Sequence, residues 1–224
     1  MGILSDKRII EKIYDENISI EPFMYDHVQP ASIDLTLGSV IKSPKKNVKK
    51  IIDTYENQEE FYDEHKISEH TLLPGDFIVS SVREKIKIPA DISGFIQNRS
   101  SLARLGLDVS ASSYVNPGYC GRLTITVKNN NMHAVKLHSG MRICQLVLMD
   151  VEPKASTDYG MKSDAKYHGE QGGELTKLYL DKEFQEYIRK GKEGLSISDF
   201  LEQRLEGSIQ NILTDAQKKS LGLR

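Results

Sequence analysis

The sequence is poor in the residues that build disulfide frameworks and zinc sites. Its 224 residues include no tryptophan and only two cysteines, Cys120 and Cys144, which form no Cys-x-x-Cys pair. Two separated cysteines give no disulfide framework, and the six histidines are scattered along the chain. The motif His-x-Glu followed by Pro-Cys-x-x-Cys, which marks zinc-dependent nucleobase deaminases, is missing. The sequence therefore excludes that class of zinc enzyme.

Long apolar runs and a strong charge of one sign are missing too. Because the N-terminus has no long apolar run, we expect no signal peptide, no membrane-spanning helix and a cytoplasmic location. The formal net charge is −2, whereas proteins that coat polymeric nucleic acid gain affinity from clustered positive charge. The hydrophobic fraction of 38% and the charged fraction of 28% indicate a soluble globular protein without a polymeric nucleic-acid partner.

The distribution of apolar residues predicts a mainly β protein with helical ends. Residues 4–14 predict a short amphipathic helix with Ser5 as its N-cap. The segment Gln29–Gly38 predicts an alternating strand that glycine ends. From about residue 71 to 151 short apolar runs alternate with turn signals. This pattern is typical of a β-sandwich or a jelly-roll-like barrel.

Three segments outside these strands have other compositions. Residues 43–66 are highly charged and predict a solvated insertion loop, with a phosphate or partner site as the alternative. Residues 155–174 are rich in Gly, Ser, Asp and Lys, which predicts either a disordered connector or a mobile lid. The tail from 180 to 220 predicts helix, with Ser196 and Asp199 as a capping pair and an apolar face from Phe200 to Leu213.

Two short segments carry the strongest functional signal. The first, Arg99–Leu107, has the sequence Arg-Ser-Ser-Leu-Ala-Arg-Leu-Gly-Leu and brings two guanidinium groups and two hydroxyls into six residues. Arginine forks and hydroxyl donors are what a polyphosphate requires. The second is Asn116-Pro117-Gly118-Tyr119-Cys120-Gly121. It predicts a tight turn, because Pro117 fixes one φ and Gly118 is free to take a positive one.

Together with six further blocks, these segments resemble the dCTP deaminase/dUTPase superfamily, and within it the dCTP deaminases, including the bifunctional dUMP-forming type. The resemblance covers roughly residues 3–180 and rests on the order and spacing of the blocks. The further blocks are Ile3–Asp6, Glu21-Pro22, Gln29–Leu35, Leu73–Gly75, Gly140–Val147 and Asp164–Tyr167.

Membership implies a distorted β-barrel or jelly roll of the dUTPase-like type, with a short N-terminal helix and a C-terminal helical extension. It implies a homotrimer with active sites between subunits, and a deoxynucleoside triphosphate substrate bound with Mg²⁺. Residues 1–180 would form the nucleotide-binding barrel, with 155–174 as its lid, and residues 181–224 the helical extension. The metal would be held by the triphosphate rather than by protein ligands.

Individual residues take their implied roles from their positions in the resemblance. Asn116 stands where the family has an Asp that receives the deoxyribose 3′-hydroxyl. Tyr159, Lys166 and Glu170 match positions of the segment that closes over the nucleotide. The implied nucleotide-binding residues are Arg99, Ser100, Ser101, Arg104, Asn116, Tyr159, Lys166 and Glu170.

The two positions at which the superfamily carries its catalytic carboxylates are Asn116 and Thr126 in this chain. An amide does not usefully accept a proton, and a hydroxyl replaces a carboxylate as general base only when a neighbour activates it. Asp108 and Glu170 are the candidates for a replacement, with Glu170 at a family glutamine position. Asp34 is a further candidate, and for both Asp34 and Asp108 a purely structural role is the alternative. Any deamination would proceed without zinc.

Three functions stay open at this level. The first is an enzyme that deaminates or hydrolyses a dCTP- or dUTP-like nucleotide, and the length of the segment 108–115, similar to that of the bifunctional relatives, favours hydrolysis. The second is a catalytically inactive nucleotide-binding sensor or regulatory trimer. The third, an interaction module without a small ligand, is disfavoured by the clustered arginines and serines. The retained phosphate-binding residues favour the enzyme, because phosphate hydrolysis can depend on Mg²⁺ and on positioning more than on a strong protein base.

Overall fold

Antiparallel β-strands form most of the fold, which confirms the mainly β prediction. The computed structural model describes residues 2–205 except 49, 55, 112–113, 193, 195, 197 and 200. The strands are β1 Ser19–Glu21, β2 Val28–Gln29, β3 Ser32–Pro44, β4 Tyr62–Lys66, β5 Glu69–Leu72, β6 Phe77–Val82, β7 Lys85–Lys87, β8 Ile92–Asn98, β9 Leu107–Ala111, β10 Tyr114–Val115, β11 Cys120–Gly121, β12 Thr124–Asn129, β13 Val135–His138 and β14 Arg142–Asp150.

The helices are few and short. Among the described residues they are α1 Asp6–Tyr14, α2 Ser100–Arg104 and α3 Lys182–Lys192, with single 3₁₀ turns at Tyr25–His27, Glu59–Phe61, Tyr159–Met161 and Leu178–Leu180. Residues 198–199 and 201–205 are helical as well. Helix α1 confirms the N-terminal prediction, because the Ser5 hydroxyl accepts a hydrogen bond from the Arg8 backbone N–H at 3.5 Å. Of the described residues, no helix combines the length and the apolar character needed to cross a membrane.

One large sheet carries the core. Its strands follow the order β10-β8-β14-β3-β6-β12-β9, with β2 and β4 attached to β3. Two smaller sheets, β1-β7-β11 and β13-β5, complete the fold. The central strands β3 and β14 bury Leu35, Leu37 and Leu146 completely, and such burial of apolar side chains is the main driving force of folding.

The structure corrects two sequence predictions in this region. Strand β3 does not end at Gly38 but runs on to Pro44, with its pairing to β6 shifted between Leu37 and Ile41. Gly38 instead allows the backbone of Ser81 to lie close to β3, because a Cβ at Gly38 would stand 3.0 Å from the Ser81 backbone oxygen. The charged segment 43–66 is not all loop either, since Tyr62–Lys66 forms β4 and pairs with β3.

The chain folds as two compact units. The first comprises Met1–Ile52 and Gln58–Thr176, and the second Asp53–Asn57 and Lys177–Arg224. The second unit contains α3, and its Ser196 and Asp199 form the predicted capping pair through reciprocal backbone-to-side-chain hydrogen bonds of 3.2 and 3.3 Å. Phe200 and residues 206–224 of the predicted apolar face lie outside the described residues. The domain boundary between 180 and 181 stays a prediction.

Candidate nucleotide site

The turn at Asn116–Tyr119 has the predicted conformation. The Asn116 carbonyl accepts the Tyr119 backbone N–H at 3.0 Å, and Gly118 takes a φ of 79°. A Cβ at Gly118 would lie 2.8 Å from the Asp158 Cβ, so only glycine fits without displacing that residue. The Pro117 carbonyl accepts the Tyr159 N–H at 2.9 Å. The turn therefore fixes the position of the segment that carries Tyr159.

A cavity of about 580 Å³ opens beside this turn, within the size range of small-molecule sites. Four of the residues singled out in the sequence line it together: Asn116, Thr126, Tyr159 and Glu170. The other lining residues are Ser110, Tyr114, Tyr119, Leu123, Thr124, Ile125, Tyr167, Glu174, Leu175 and Thr176. Aromatic rings and hydroxyls suit a base and a sugar, which need stacking surfaces and hydrogen-bonding partners.

Glu170 is a buried carboxylate in the wall of this cavity, only 7% exposed. Its Oε1 accepts a hydrogen bond from the Tyr119 hydroxyl at 2.9 Å, and its Oε2 accepts one from the Thr124 hydroxyl at 3.0 Å. Burial raises the pKa of Glu170 above the ordinary 4.5, the two hydrogen bonds oppose that rise, and repulsion from Glu174 adds to it. Glu170 is therefore a buried carboxyl group with a raised pKa in the cavity wall, which makes it a candidate for proton transfer.

The backbone of residues 169–174 is anchored on two strands, and this anchoring holds Glu170 in place. Gly169 N–H donates to the Cys120 carbonyl at 2.7 Å, and the Glu170 carbonyl accepts the Arg122 N–H at 2.9 Å. The Glu174 N–H donates to the Thr124 hydroxyl at 3.3 Å. Thr124 thus donates to one glutamate side chain and accepts from the backbone of another.

Thr126 lies two residues along β12 from Thr124, on the same face of the strand. Its hydroxyl donates to the Ser110 carbonyl on β9 at 3.1 Å. The hydroxyl proton is therefore held by the backbone. Thr126 can accept a hydrogen bond from a ligand in the cavity, but it carries no acid or base of useful pKa.

Two other candidates lie outside the set of lining residues. Asp108 is exposed on β9, where its carboxylate accepts a hydrogen bond from the Ser110 hydroxyl at 3.1 Å. The ammonium of Lys166 lies 5.9 Å from the ring centre of Tyr167, which itself lines the cavity. Both candidates thus neighbour a lining residue without reaching the cavity wall themselves.

The arginine–serine block forms a separate feature. Ser100, Ser101 and Arg104 are exposed on α2, and neither they nor Arg99 line the cavity. Ser100, Ser101 and Arg104 make no side-chain hydrogen bond or ion pair with the described part of the chain. Arg99, which precedes α2, is held instead by Asp34, whose carboxylate lies 3.5 Å from its Nη2. The sequence predicts that all eight nucleotide-binding residues share one site. Within one copy of the chain, three of them line the cavity and Lys166 lies beside a lining residue. The other four lie in α2 or directly before it.

Asp34, for which the sequence left a purely structural role as the alternative, is tied into the sheet by several donors. Its side chain is 1% exposed and accepts hydrogen bonds from Arg142 at 3.3 Å and Gln145 at 3.1 Å. A buried carboxylate with this many donors is a fixed part of the framework.

Sequence reasoning missed several residues that the fold brings to these features. Tyr119 and Arg142 lie in segments that the sequence singled out, but neither side chain was given a role there, and neither Thr124 nor Glu174 was named. Alternation along β12 could have indicated Thr124, since it shares a face with Thr126. Nothing local signals Glu174, which reaches the cavity only because the segment after Glu170 returns to β12.

The fold is mainly β, with a curled antiparallel sheet and a cavity beside the Pro-Gly turn, and comparison with known proteins identifies the family. The model of the dCTP deaminase-like family matches residues 3–151. The chain belongs to this family, which confirms the resemblance found in the sequence.

Two relatives are dUMP-forming dCTP deaminases. That of Nanoarchaeum equitans (strain Kin4-M) is 36% identical over 197 residues, covering 80% of this chain and 98% of the relative. That of Dictyoglomus turgidum is 36% identical over 186 residues, covering 80% and 96%. The solved 2′-deoxycytidine 5′-triphosphate deaminase from Agrobacterium tumefaciens superposes with a TM-score of 0.55 at 25% identity, covering 66% of this chain and 48% of that chain.

Proposed function

We propose that this protein is an enzyme that processes a deoxynucleoside triphosphate of the dCTP or dUTP type. The reactions in question are deamination, in which water replaces the 4-amino group and ammonia leaves, and hydrolysis to dUMP with release of pyrophosphate. One observation carries the proposal. The cavity combines Asn116 and Tyr159 with the buried carboxylate of Glu170, and family relatives that cover most of the chain are named for these two reactions.

Glu170 is the group that we assign to proton transfer. Its carboxylate is buried, lies in the cavity wall and has a raised pKa, which places it to exchange a proton with a ligand or a water in the cavity. Tyr119 and Thr124 hold its two oxygens in fixed directions. Asp108 is the weaker candidate, because its carboxylate is exposed and lies outside the set of residues that line the cavity.

Asn116 and Thr126 act as binding groups in this proposal. The Asn116 amide can hydrogen-bond the 3′-hydroxyl of a deoxyribose, and Tyr159 offers a flat surface for the sugar or the base. The Thr126 hydroxyl can accept a hydrogen bond from an amino group. Neither Asn116 nor Thr126 needs to transfer a proton during the reaction.

We assign the triphosphate to Arg99, Ser100, Ser101 and Arg104, with Lys166 as a further cation from the closing segment. Since these four residues do not line the cavity of their own chain, a complete site requires the arginine–serine block of a second copy. A homotrimer with sites between subunits meets this need. The domain organisation we propose is a nucleotide-binding barrel over 1–180, with 155–174 as its lid, and a helical extension over 181–224.

Magnesium enters the proposal as part of the substrate. Among the described residues, no group of three or more His, Cys, Asp and Glu side chains is placed to hold a metal ion. Mg²⁺ would therefore be carried by the triphosphate, where it neutralises phosphate charge. The protein side supplies arginines and hydroxyls, and no proton transfer in the proposal passes through the metal.

The test incubates the pure protein with each deoxy- and ribonucleoside triphosphate, with and without Mg²⁺, and separates the products by ion-exchange chromatography. We expect dUTP or dUMP from dCTP, or dUMP from dUTP, and no turnover of ribonucleotides. Binding without turnover would instead support the regulatory nucleotide-binding protein. Absence of both binding and turnover would refute the proposal.

Three variants assign the carboxylate. Glu170→Gln keeps the shape of the side chain but cannot take up a proton, so the rate should fall about 10²–10⁴-fold. Glu64→Gln is the matched control, because that side chain is exposed on β4, and its rate should equal the parent's. A comparable loss in Asp108→Asn and not in Glu170→Gln would move the role to Asp108.

A further inference from the structure

Two arginines share one buried carboxylate oxygen. Nη2 of Arg99 and Nη1 of Arg142 lie 3.5 and 3.3 Å from Oδ2 of Asp34. Nη1 of Arg99 also donates to the Arg142 carbonyl at 3.2 Å. The side chains of Arg99 and Arg142 remain 28% and 32% exposed, against 1% for Asp34. The two guanidinium groups are therefore held side by side and are both accessible to a ligand.

The sheet fixes the carboxylate that holds them. Asp34 on β3 is paired in register with Gln145 on β14, and the Gln145 amide donates to Asp34 Oδ1 at 3.1 Å. Gln29 Nε2 reaches Asp34 Oδ2 at 3.5 Å. Arg142 is the first residue of β14. Strand pairing therefore fixes the position of the carboxylate that both arginines contact.

The charges do not balance within the buried part of the cluster. Two arginines face one buried carboxylate, which leaves one positive charge in excess. Asp26 neutralises part of this excess positive charge, because its Oδ2 lies 2.7 Å from Nη2 of Arg142. The Asp26 side chain is, however, 66% exposed. An exposed ion pair contributes little net stability, whereas a phosphate offers an arginine paired, charge-assisted hydrogen bonds.

We propose that Arg142 is a second phosphate-binding arginine beside Arg99, and that Asp26 competes with the phosphate for it. The ligand is the polyphosphate of a nucleotide, so this inference rests on the proposed function. Asp34 is the positioning residue that holds both guanidinium groups toward the ligand. Arg142 lies 43 residues along the chain from Arg99, which is why the arginine–serine block gave no hint of it.

Titration calorimetry in the presence of Mg²⁺ tests the proposal with dCTP, dUTP, dCMP and inorganic tripolyphosphate. Arg142→Met should weaken binding of dCTP and of tripolyphosphate about tenfold or more, the loss expected for a charge-assisted contact, and should weaken dCMP less. Arg142→Lys, which keeps the charge, should recover part of the affinity. Asp26→Asn should tighten triphosphate binding a few-fold, because it removes the competing carboxylate.

The Asp26→Asn variant controls for the possibility that Arg142→Met loses affinity only because it unfolds. It changes an exposed side chain, and its triphosphate affinity should rise where that of Arg142→Met falls. Equal dCTP affinity for Arg142→Met and the parent would overturn the inference and leave the proposed function intact. Equal losses for dCMP and dCTP, with Asp26→Asn no tighter than the parent, would make Arg142 a structural support only and also overturn it.

The tripolyphosphate measurement separates the two proposals. If the parent binds neither dCTP nor dUTP but binds tripolyphosphate, and Arg142→Met weakens that binding, the proposed function fails while the assignment of Arg142 to polyphosphate binding is kept. If the parent binds none of the three, both fail.

Discussion

Replacing Tyr119 by Phe removes a single hydroxyl from the buried network around Glu170. The Tyr119 side chain is 4% exposed and the Glu170 side chain 7%, and the lost hydrogen bond of 2.9 Å ends on a carboxylate oxygen. The ring stays, so no cavity larger than an oxygen atom forms. A hydrogen bond to a charged group contributes about 1.5–3 kcal/mol. Since Thr124 still donates to the other oxygen, we expect the free energy of unfolding to fall by about 1.5–3 kcal/mol at pH 7.

The pH dependence gives this prediction its signature. Burial raises the pKa of Glu170, and the Tyr119 hydrogen bond opposes that rise, so the variant's pKa should rise further. A carboxyl group with a raised pKa in the folded state stabilises the fold below its unfolded pKa, and this contribution is lost as pH rises through the folded pKa. The stability difference between parent and variant should therefore be small near pH 4.5 and grow toward pH 7.

Urea unfolding followed by circular dichroism, at one protomer concentration and at pH 5 and pH 7, measures the effect. Tyr14→Phe is the matched control, because Tyr14 is 78% exposed and should change the stability by less than about 0.5 kcal/mol. A Tyr119→Phe effect as small as that of the control, or one that is equal at the two pH values, would refute the assignment of a buried, proton-sensitive Glu170.

Four further outcomes follow from the site and the turn. Arg104→Ala should weaken triphosphate binding about tenfold to a hundredfold, and unchanged calorimetric affinity would move the phosphate site elsewhere. Thr126→Glu should speed deamination of dCTP, because it adds a second carboxylate to the cavity that Glu170 lines and general acid–base catalysis contributes roughly 10²–10⁴-fold; a deamination rate equal to the parent's would contradict this. Gly118→Ala should lower the unfolding free energy more than Gly75→Ala does. Both glycines have φ near 80°, but only Gly118 has a neighbour, 2.8 Å away, where the Cβ would stand, so equal denaturation midpoints would refute the steric explanation. Saturating dCTP with Mg²⁺ should protect the lysyl bonds within 155–174 from limited proteolysis, and unchanged cleavage would leave that segment a connector.

The sequence by itself determined the family, the mainly β fold and the tight turn. Alternating apolar residues predict strands locally, and strands such as β6, Phe77–Val82, lie within the region 71–151 where the sequence predicts short strands. The Pro-Gly pair predicts the turn because Pro117 restricts φ and Gly118 permits a positive φ, and both constraints act within four residues. These features depend on residues that are adjacent in the sequence, so they can be predicted without knowledge of the tertiary structure.

Only the tertiary structure decided which side chains meet. Glu170 was a candidate from its position in the resemblance, but its burial depends on Tyr119 and Thr124, 51 and 46 residues away. Arg142 reaches Asp34 across 108 residues through the pairing of β14 with β3. The burial of a carboxylate, its donors and its pKa all arise from such long-range strand pairing. No local pattern in a single sequence records that pairing, because each strand's composition fits many partners equally well.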